Sequence, residues 1–177
     1  MSESPLLPAE IRDVAAEVVT ALRARRATVA TAESLTGGLV VAALTTVPGA
    51  SEVVRGGVCA YHSDVKAALV GVSVEALQSG AVNARVAEEL AEGSRTTFGV
   101  DYGIGTTGVA GPDPSDGCAV GTVFVAVAGP GPRSEAGSVS APHATVSRRL
   151  ALTGSRDDIR ENTVREVLRM LAEVLAR

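Results

Sequence analysis

The chain has 177 residues, of which 46% are hydrophobic, so it is long and apolar enough to form one domain with a full core. Aromatic residues are only 2% of the chain and tryptophan is absent, so Val, Leu, Ile and Ala must build the core, and stacking platforms for single-stranded nucleic acid are not expected. The net charge of −4 and the lack of a basic run also argue against nucleic acid as a partner.

Residues 1–8 do not have the pattern of a signal peptide, because they contain Glu3 and two prolines where a basic head and an apolar stretch are required. No uncharged apolar run reaches transmembrane length, so no membrane partner is expected. The default expectation for a chain with two cysteines and no CxxC motif is a reduced, cytoplasmic setting. Cys59 and Cys118 form no CxxC motif and no metal-ligand spacing. We therefore expect both thiols to stay reduced and without a metal.

The first predicted elements are a helix, a strand and a second helix. Proline starts the helix over residues 8–25. Four apolar residues at helical spacing form its buried stripe: Ile11, Val14, Val18 and Leu22. A β-prone run at 27–31, the turn sequence 32–38 and an apolar helix at 39–47 follow. Gly37 and Gly38 allow a sharp turn that leaves backbone N–H groups open.

Ser34 lies in this turn, and its position has two interpretations. The hydroxyl and the N–H groups of the following helical turn can face one point, which is the arrangement of a nucleophilic serine beside oxyanion donors. The alternative is an ordinary N-cap serine before a core helix.

Lys66 is the second candidate for chemistry. Residues 56–61 form the second predicted strand, and Ser63 is the expected N-cap of a helix that Gly71 stops. Lys66 would then lie in the first helical turn, where the helix dipole opposes its positive charge and lowers its pKa, as a general base requires. Asp64 close by would raise that pKa. The alternative is an exposed helix lysine.

Two neighbours of Lys66 have simpler explanations when they are considered alone. A tyrosine at the position of Tyr61 is more often packed at a strand end than used as a catalytic phenol, so packing is the simpler interpretation. His62 is one of two histidines and has no second ligand nearby in sequence, so it is expected on the surface.

The rest of the chain continues to alternate helices and strands. A helical turn at 74–78 and a helix at 84–98, capped by Asn83, are expected first. Strands are expected at 100–106 and 120–128, with one or two more within 138–152, where Pro142 lies at an edge or turn. Ser155 and Asp158 form a capping box that opens the last helix. Between two strands lies a Gly-rich turn at 105–112, in which Thr106 and Thr107 add hydroxyls. Such a turn suits close approach to a ligand, but it is also common without one. The alternation predicts one α/β domain over residues 1–177, with its core at about 8–176.

Several motifs in this order resemble the C-terminal domain of the CinA (competence/damage-inducible) family. They are Thr-Ala-Glu-Ser-Leu-Thr-Gly-Gly at 31–38, Gly-Val-Cys-Ala-Tyr at 57–61 with Lys66, Gly-Ala-Val at 80–82, Thr-Gly-Val-Ala-Gly-Pro at 107–112, Val-Gly-Thr-Val at 120–123, and Gly154 with Arg156. The resemblance extends from about Ile11 to Leu175. It implies a three-layer α/β/α sandwich on a mixed β-sheet, no metal or cofactor, and a homo-oligomer, most simply a dimer. Larger members carry a further N-terminal domain similar to molybdopterin-binding proteins, for which this chain is too short.

Family members with amidase activity are nicotinamide-nucleotide amidases, which convert nicotinamide mononucleotide to nicotinate mononucleotide and ammonia. By position, the resemblance implies Ser34 as nucleophile, Lys66 as general base, and Tyr61 as a group that relays the proton or holds the base. N–H groups around residues 35–38 would stabilise the oxyanion. The residues expected to bind substrate are Thr36, Gly37, Gly38, Thr106, Thr107, Gly108 and Arg156, with the arginine on the phosphate.

One segment departs from the family pattern. The loop of residues 113–119 is about a residue shorter than usual, and Cys118 and Ala119 replace the Lys-Pro found in relatives. This change keeps two alternatives open beside the amidase: a catalytically silent nucleotide-binding or partner-binding module, and an amidase for a related amide that is not a nucleotide.

Overall fold

The computed structural model describes residues 7–130 and 144–177 as six helices and five strands, with a one-turn 3-10 helix at Ala50–Glu52. The helices are α1 (Ala9–Arg25), α2 (Leu39–Thr45), α3 (Ser63–Val70), α4 (Val74–Leu77), α5 (Ala84–Phe98) and α6 (Arg156–Leu175). The strands are β1 (Val29–Glu33), β2 (Val54–Cys59), β3 (Tyr102–Gly108), β4 (Thr122–Gly129) and β5 (Ala144–Ala151).

The strands form one mixed sheet in the order β2-β1-β3-β4-β5. Strands β2, β1 and β3 are parallel, whereas β4 is antiparallel to both β3 and β5. Helices α1, α2 and α6 pack together on one face, and α5 covers the other face with α3 and α4 beside it. The predicted three-layer α/β/α sandwich is therefore confirmed.

Strand β4 shows how the small-residue core divides between the two faces. Val123, Val125 and Val127 point into the large cluster under α1, α2 and α6. Ala126 and Ala128, on the alternate positions, pack against two alanines of α5. Glycines on β3 complete the fit: a Cβ on residue 103 or 105 would lie 2.0 or 2.2 Å from a carbonyl oxygen of α5. Helix α5 therefore lies very close to the sheet.

Most helix boundaries agree with the expectations, but three strands are displaced by about two residues. The displacement matters most in β1, which extends to Glu33, so Ser34 is the first residue after the strand. Pairing decides these ends, because Glu33 is in register with Cys59 of β2 and Thr106 of β3. The Asn83 cap, the helix stop at Gly71, and the capping box of Ser155 and Asp158 are confirmed.

The predicted N-cap of α3 is wrong. His62 occupies the cap position with extended backbone, and Ser63 is already the first helical residue. The N–H of Lys66 donates to the His62 carbonyl at 3.0 Å, so Lys66 closes the first turn. The strand expected within 138–152 is β5, whereas Pro142 and residues 138–143 lie outside the described residues.

Across residues 7–130 and 144–177, each helix is too short or too polar to cross a lipid bilayer.

Candidate active site at the carboxyl end of strand β1

The turn after β1 is the point at which the chain reverses its direction across the sheet. From β1 the chain passes to β2 on one side and then crosses to β3 on the other, and ligand sites in α/β sheets gather at such switch points. The Ser34 N–H donates to the Thr106 carbonyl at 3.0 Å. The hydroxyls of Thr36 and Thr106 bond each other at 2.9 Å. Two bonds thus fix the turn to the end of β3.

Ser34 and Lys66 meet at this turn. Lys66 Nζ donates to Ser34 Oγ at 3.1 Å and to the main-chain carbonyl of Tyr61 at 2.8 Å. The lysine is only 1% exposed, and Ser34 is 8% exposed. Helix α3 thus places the side-chain nitrogen of Lys66 within hydrogen-bond distance of the Ser34 hydroxyl, and the Tyr61 carbonyl, shortly after β2, holds it there. This is the geometry of a serine beside a potential base.

Burial lowers the pKa of Lys66 below its ordinary value, because removal from water disfavours the charged form. The charges of Asp116 and Cys59 act in the opposite direction and raise that pKa. The expectation that Asp64 would be the opposing carboxylate is wrong. Asp64 instead bonds the His62 ring at 2.7 Å on the surface, and this hydrogen bond lowers its own pKa.

Tyr61 contacts both ends of the site, but with different atoms. Its main-chain carbonyl holds Lys66, whereas its phenol accepts a hydrogen bond from Arg156 Nη2 at 3.3 Å. The side chain is 60% exposed, so the packed strand end is not observed. Arg156, the first residue of α6, also donates to the Gly111 carbonyl. Tyr61 therefore bonds Lys66 through its main chain and Arg156 through its side chain.

Glu33 is a buried carboxylate that the sequence reasoning did not single out. It is 0% exposed, and Oε2 accepts the N–H groups of Gly38 and Val40 at 3.0 Å each. Oε1 accepts the Val41 N–H at 2.9 Å and the Thr31 hydroxyl at 3.0 Å. The carboxylate therefore caps α2, and Ser34 is not the cap. An acidic residue shortly before a helix was the sequence signal for this role, since the helix dipole favours it.

The backbone of the turn divides into engaged and open N–H groups. The Gly37 N–H donates to the Ser34 carbonyl at 3.1 Å, and the Gly38 N–H is held by Glu33. In the part of the chain that the structure describes, the N–H groups of Leu35 and Thr36 donate to no oxygen. Of the four candidate oxyanion donors expected at 35–38, two are therefore occupied and two are open.

A second residue missed from the sequence lies behind these open groups. Arg160 of α6 donates from Nε to the Leu35 carbonyl and from Nη2 to the Thr36 carbonyl, both at 3.1 Å. The sequence signal was its spacing of four residues from Arg156, which puts both arginines on one helix face.

The other residues expected to bind substrate differ in accessibility. Thr36, Thr106 and Thr107 are at most 1% exposed, and Thr107 donates its hydroxyl to the Ala81 carbonyl at 2.6 Å. Their hydroxyls therefore face protein partners, since those of Thr36 and Thr106 bond each other and that of Thr107 bonds Ala81. Gly37 is exposed, and the remaining glycines, Gly38 and Gly108, are half-buried, so their backbones are open to a ligand.

The loop at 113–119 lies on the surface above the site. Asp116 Oδ2 accepts the Ala81 N–H at 2.6 Å, and Cys118 Sγ lies 3.7 Å from the Val82 carbonyl. Cys59 is exposed at the end of β2, and both cysteines are free thiols. Residues 7–130 and 144–177 contain no group of three or more His, Cys, Asp or Glu side chains arranged to hold a metal ion.

A sequence model of the CinA C-terminal domain matches residues 11–175 of this chain. The chain belongs to the CinA family. The CinA-like protein of Frankia casuarinae is 42% identical over 153 residues, which are 86% of this chain and 33% of that protein. The CinA-like protein of Myxococcus xanthus is 42% identical over 165 residues, 91% of this chain and 36% of that protein. This CinA-family chain therefore spans about a third of the length of the curated relatives it matches.

A solved structure of the family has the same fold. The competence/damage inducible protein CihA from Agrobacterium tumefaciens superposes with a TM-score of 0.84 at 32% identity. The match covers 98% of this chain and 99% of that one. The fold that carries the Ser34 turn is thus shared with this CinA-family structure along nearly the whole chain.

Proposed function

We propose that this CinA-family protein hydrolyses the amide of nicotinamide mononucleotide to nicotinate mononucleotide and ammonia by a Ser34–Lys66 mechanism. The observation that carries the proposal is the 3.1 Å contact between Lys66 Nζ and Ser34 Oγ, with a lysine whose pKa is lowered by burial. Amide hydrolysis needs a nucleophile, a base for its proton, and donors for the developing oxyanion. Candidates for all three lie at this turn.

The contacts of Lys66 suit the neutral form of its side chain. A neutral amine has two hydrogens and one lone pair. The Tyr61 carbonyl, 2.8 Å away, accepts one hydrogen and orients the group. The lone pair then turns toward Ser34, and the hydroxyl becomes the donor in that contact. The carbonyl of Tyr61 thus holds the base in position, whereas its phenol bonds Arg156.

In the first half of the proposed reaction, Ser34 becomes acylated. Lys66 takes the hydroxyl proton while Ser34 Oγ forms a bond to the carbonyl carbon of the substrate. The open N–H groups of Leu35 and Thr36 stabilise the oxyanion. Collapse breaks the C–N bond, and Lys66 returns the proton to the leaving nitrogen, which departs as ammonia.

In the second half, water hydrolyses the acyl-enzyme. Neutral Lys66 removes a proton from the water as it attacks the ester carbonyl. The same two N–H groups stabilise the second oxyanion, and Ser34 leaves with the proton from Lys66. The carboxylic acid product releases its proton to solvent and departs as the carboxylate, and the free hydroxyl of Ser34 completes the cycle.

Recognition of the nucleotide is proposed to use exposed groups around this centre. Arg156 is exposed and presents a guanidinium, which pairs well with phosphate. The open backbones of Gly37, Gly38 and Gly108 permit close approach of the ribose and pyridine ring. The buried threonines at positions 36, 106 and 107 have structural roles in this proposal, because their hydroxyls already have protein partners.

An ammonia-release assay on nicotinamide mononucleotide, nicotinamide riboside and nicotinamide tests the proposal. We expect the mononucleotide to be the best substrate, because the other two lack the phosphate that Arg156 would bind. Ser34→Ala should remove the activity, and exposed Ser51→Ala is the matched control. Equal or better release from nicotinamide would indicate an amidase for a non-nucleotide amide. Mononucleotide binding by calorimetry without any release would indicate the catalytically silent module.

A further inference from the structure

Arg160 makes three contacts that fix its guanidinium in one orientation. Nε and Nη2 each donate to a carbonyl of the Ser34 turn at 3.1 Å, on Leu35 and on Thr36. Nη1 lies 3.4 Å from an oxygen of Asp157 at the rim. The side chain is 26% exposed, so most of it is covered by the turn. A planar guanidinium with all three nitrogens engaged has little freedom to rotate.

The geometry of a trans peptide links these carbonyls to the open N–H groups. Within one peptide unit the C=O and the next N–H point in opposite directions. The Leu35 carbonyl and the Thr36 N–H belong to one such unit. When Arg160 holds that carbonyl from the α6 side, the Thr36 N–H must point away from α6. The same argument applies to the Leu35 N–H, because the carbonyl of its peptide, on Ser34, accepts the Gly37 N–H at 3.1 Å.

The next peptide unit is held at both ends. The Thr36 carbonyl accepts from Arg160, and the Gly37 N–H on the same unit donates to Ser34. Gly37 has φ +61, and a Cβ there would lie 3.4 Å from Arg160 Nη2. That distance is an ordinary van der Waals contact, so glycine is favoured here by the left-handed backbone, which other residues rarely adopt, and not by the space beside Arg160.

We propose that Arg160 is a positioning residue that holds the Leu35–Thr36 peptide so that its N–H faces the reacting carbonyl oxygen of the substrate. This inference rests on the proposed Ser34 chemistry, but it concerns a residue that does not touch the substrate. Arg160 acts through the backbone from the far side of the turn. The Thr36 carbonyl also accepts the Leu39 N–H at 3.2 Å, but in the described part of the chain the Leu35 carbonyl has Arg160 as its hydrogen-bond donor. Without Arg160, the Leu35–Thr36 peptide can therefore rotate between its two fixed neighbours, and its carbonyl can replace the N–H at the reacting centre.

Arg160 and Arg156 have separable roles, although both lie on one face of α6. Arg156 is exposed and bonds Tyr61 and Gly111, on the side where we propose the phosphate binds. Arg160 is mostly covered and bonds two carbonyls of the Ser34 turn. Loss of Arg156 should therefore raise KM for the mononucleotide. Loss of Arg160 should lower kcat and leave KM nearly unchanged, since the stabilised charge exists only in the transition state.

The test uses Arg160→Lys, Arg160→Met and Arg160→Ala, with Arg169→Met as the matched control. Arg169 lies on the same helix, is half exposed and pairs only with Glu166 in the described part of the chain. Each variant is measured for kcat and KM on the mononucleotide and for melting temperature. The rate of Ser34 acylation by p-nitrophenyl acetate is followed by mass spectrometry, because this step needs the same oxyanion donors but no nucleotide.

We expect kcat and the acylation rate to fall about 10- to 100-fold in all three Arg160 variants, since removal of a whole oxyanion donor costs about 10²- to 10³-fold. Lysine should not substitute, because it lacks the fork that holds two carbonyls. Guanidinium ion, added below the concentration that unfolds the wild type, should restore part of the rate to Arg160→Ala and none to Ser34→Ala.

Three outcomes would overturn the inference. The first is that Arg160→Lys keeps the wild-type kcat and the wild-type rate of acylation. The second is that the Arg160 variants lose activity only in proportion to their loss of folded protein, and that guanidinium ion restores none of it. The third is that the Arg160 variants change KM alone, by raising it. If the wild type acylates at Ser34 but releases no ammonia from the mononucleotide, the proposed substrate is wrong. The acylation rates of the Arg160 variants then still test the positioning role of Arg160. Failure of Ser34 to acylate in the folded wild type would overturn both.

Discussion

The turn after β1 and the loop at 113–119 both lie above the carboxyl ends of the parallel strands, yet they are held very differently. In the turn, Glu33 bonds backbone N–H groups and Arg160 bonds backbone carbonyls, and residues 34–36 are buried. In the loop, residues 112–117 are exposed. Backbone bonds join Ser115 and Cys118, and Asp116 fastens the loop to Ala81.

Under the proposed function, this difference puts the chemistry in the turn and leaves substrate selectivity to the loop. A turn whose peptides are already fixed presents its donors without reorganisation when charge develops, which is where most oxyanion stabilisation comes from. An exposed loop tolerates sequence change, so substrate preference can change there without disturbing the turn. The two regions are connected by one long-range effect, the charge of Asp116 on the pKa of Lys66.

The largest effect is expected at the nucleophile. Ser34→Ala should lower turnover on nicotinamide mononucleotide by at least about 10³-fold, because removal of a serine nucleophile leaves only binding and oxyanion contributions. Mononucleotide affinity should change little, which calorimetry can measure. A variant that keeps a substantial part of its turnover would show that another group attacks the amide.

The next largest effect is expected at Lys66. Lys66→Ala should lower turnover by about 10²-fold or more, which is the range that removal of a general base produces. Lys66→Arg should do no better, since arginine does not release its proton at neutral pH. Wild-type turnover should rise with pH through a pKa below the ordinary lysine value, because only the neutral amine is a base. The measurement is the pH dependence of kcat. An active Lys66→Arg with an unchanged pH profile would leave Lys66 an electrostatic role only.

The same lysine should affect stability with a defined sign. Because its folded pKa is lowered, the unfolded chain binds more protons between that pKa and the ordinary lysine value. The stability of the wild type therefore rises with pH in this window. Lys66→Met should be stabilised relative to the wild type at neutral pH, and the difference should shrink as the pH rises. Denaturant unfolding at several pH values measures it, and a difference that grows with pH would contradict the argument.

Glu33→Gln should give an intermediate loss. The amide group would face backbone N–H donors that now bond a carboxylate, which leaves at least one buried donor without a partner. We expect a loss of about 1–3 kcal/mol in the free energy of unfolding. Turnover should also fall, because the capped helix supports the Ser34 turn. Exposed Glu52→Gln is the control, and equal stability of the two variants in urea would argue against the role of Glu33.

Asp116→Asn should have a smaller and directional effect. Asparagine can still accept the Ala81 N–H, but it removes the charge that raises the pKa of Lys66. The rising limb of the turnover profile should therefore move to lower pH. Asp113→Asn, in the same exposed loop, is the control and should leave the profile in place. A shift of the Asp116 variant to higher pH would contradict the proposed coupling.

The smallest effect is expected for Tyr61→Phe. The main-chain carbonyl that holds Lys66 remains, and only the exposed hydrogen bond of the phenol with Arg156 is lost. Such a bond contributes about 0.5–1.5 kcal/mol, so turnover should fall by less than about tenfold. If the phenol relays the proton, the loss should instead approach that of Lys66→Ala.

The sequence alone determined the layered α/β fold and the two residues at the centre of the candidate site. Alternating helical and β-prone segments predict the sandwich, and turn glycines and capping residues mark most helix ends. Ser34 and Lys66 were identified because a strand-turn-helix pattern and a lysine in a first helical turn are local features, and the family motifs supported both.

Only the tertiary structure decided which groups surround those two residues. Arg160 lies 124 and 125 positions along the chain from the carbonyls that it holds. Asp116 affects the pKa of Lys66 from an exposed loop, far from Lys66 in sequence, that is fastened to the Ala81 N–H. Strand β1 ends at Glu33 and not at residue 31, because pairing with β2 and β3, rather than the β-propensity of its own residues, decides where it ends. Propensity and capping act over a few residues, whereas hydrogen bonds to buried backbone groups and the burial that lowers a lysine pKa arise only when distant segments pack together.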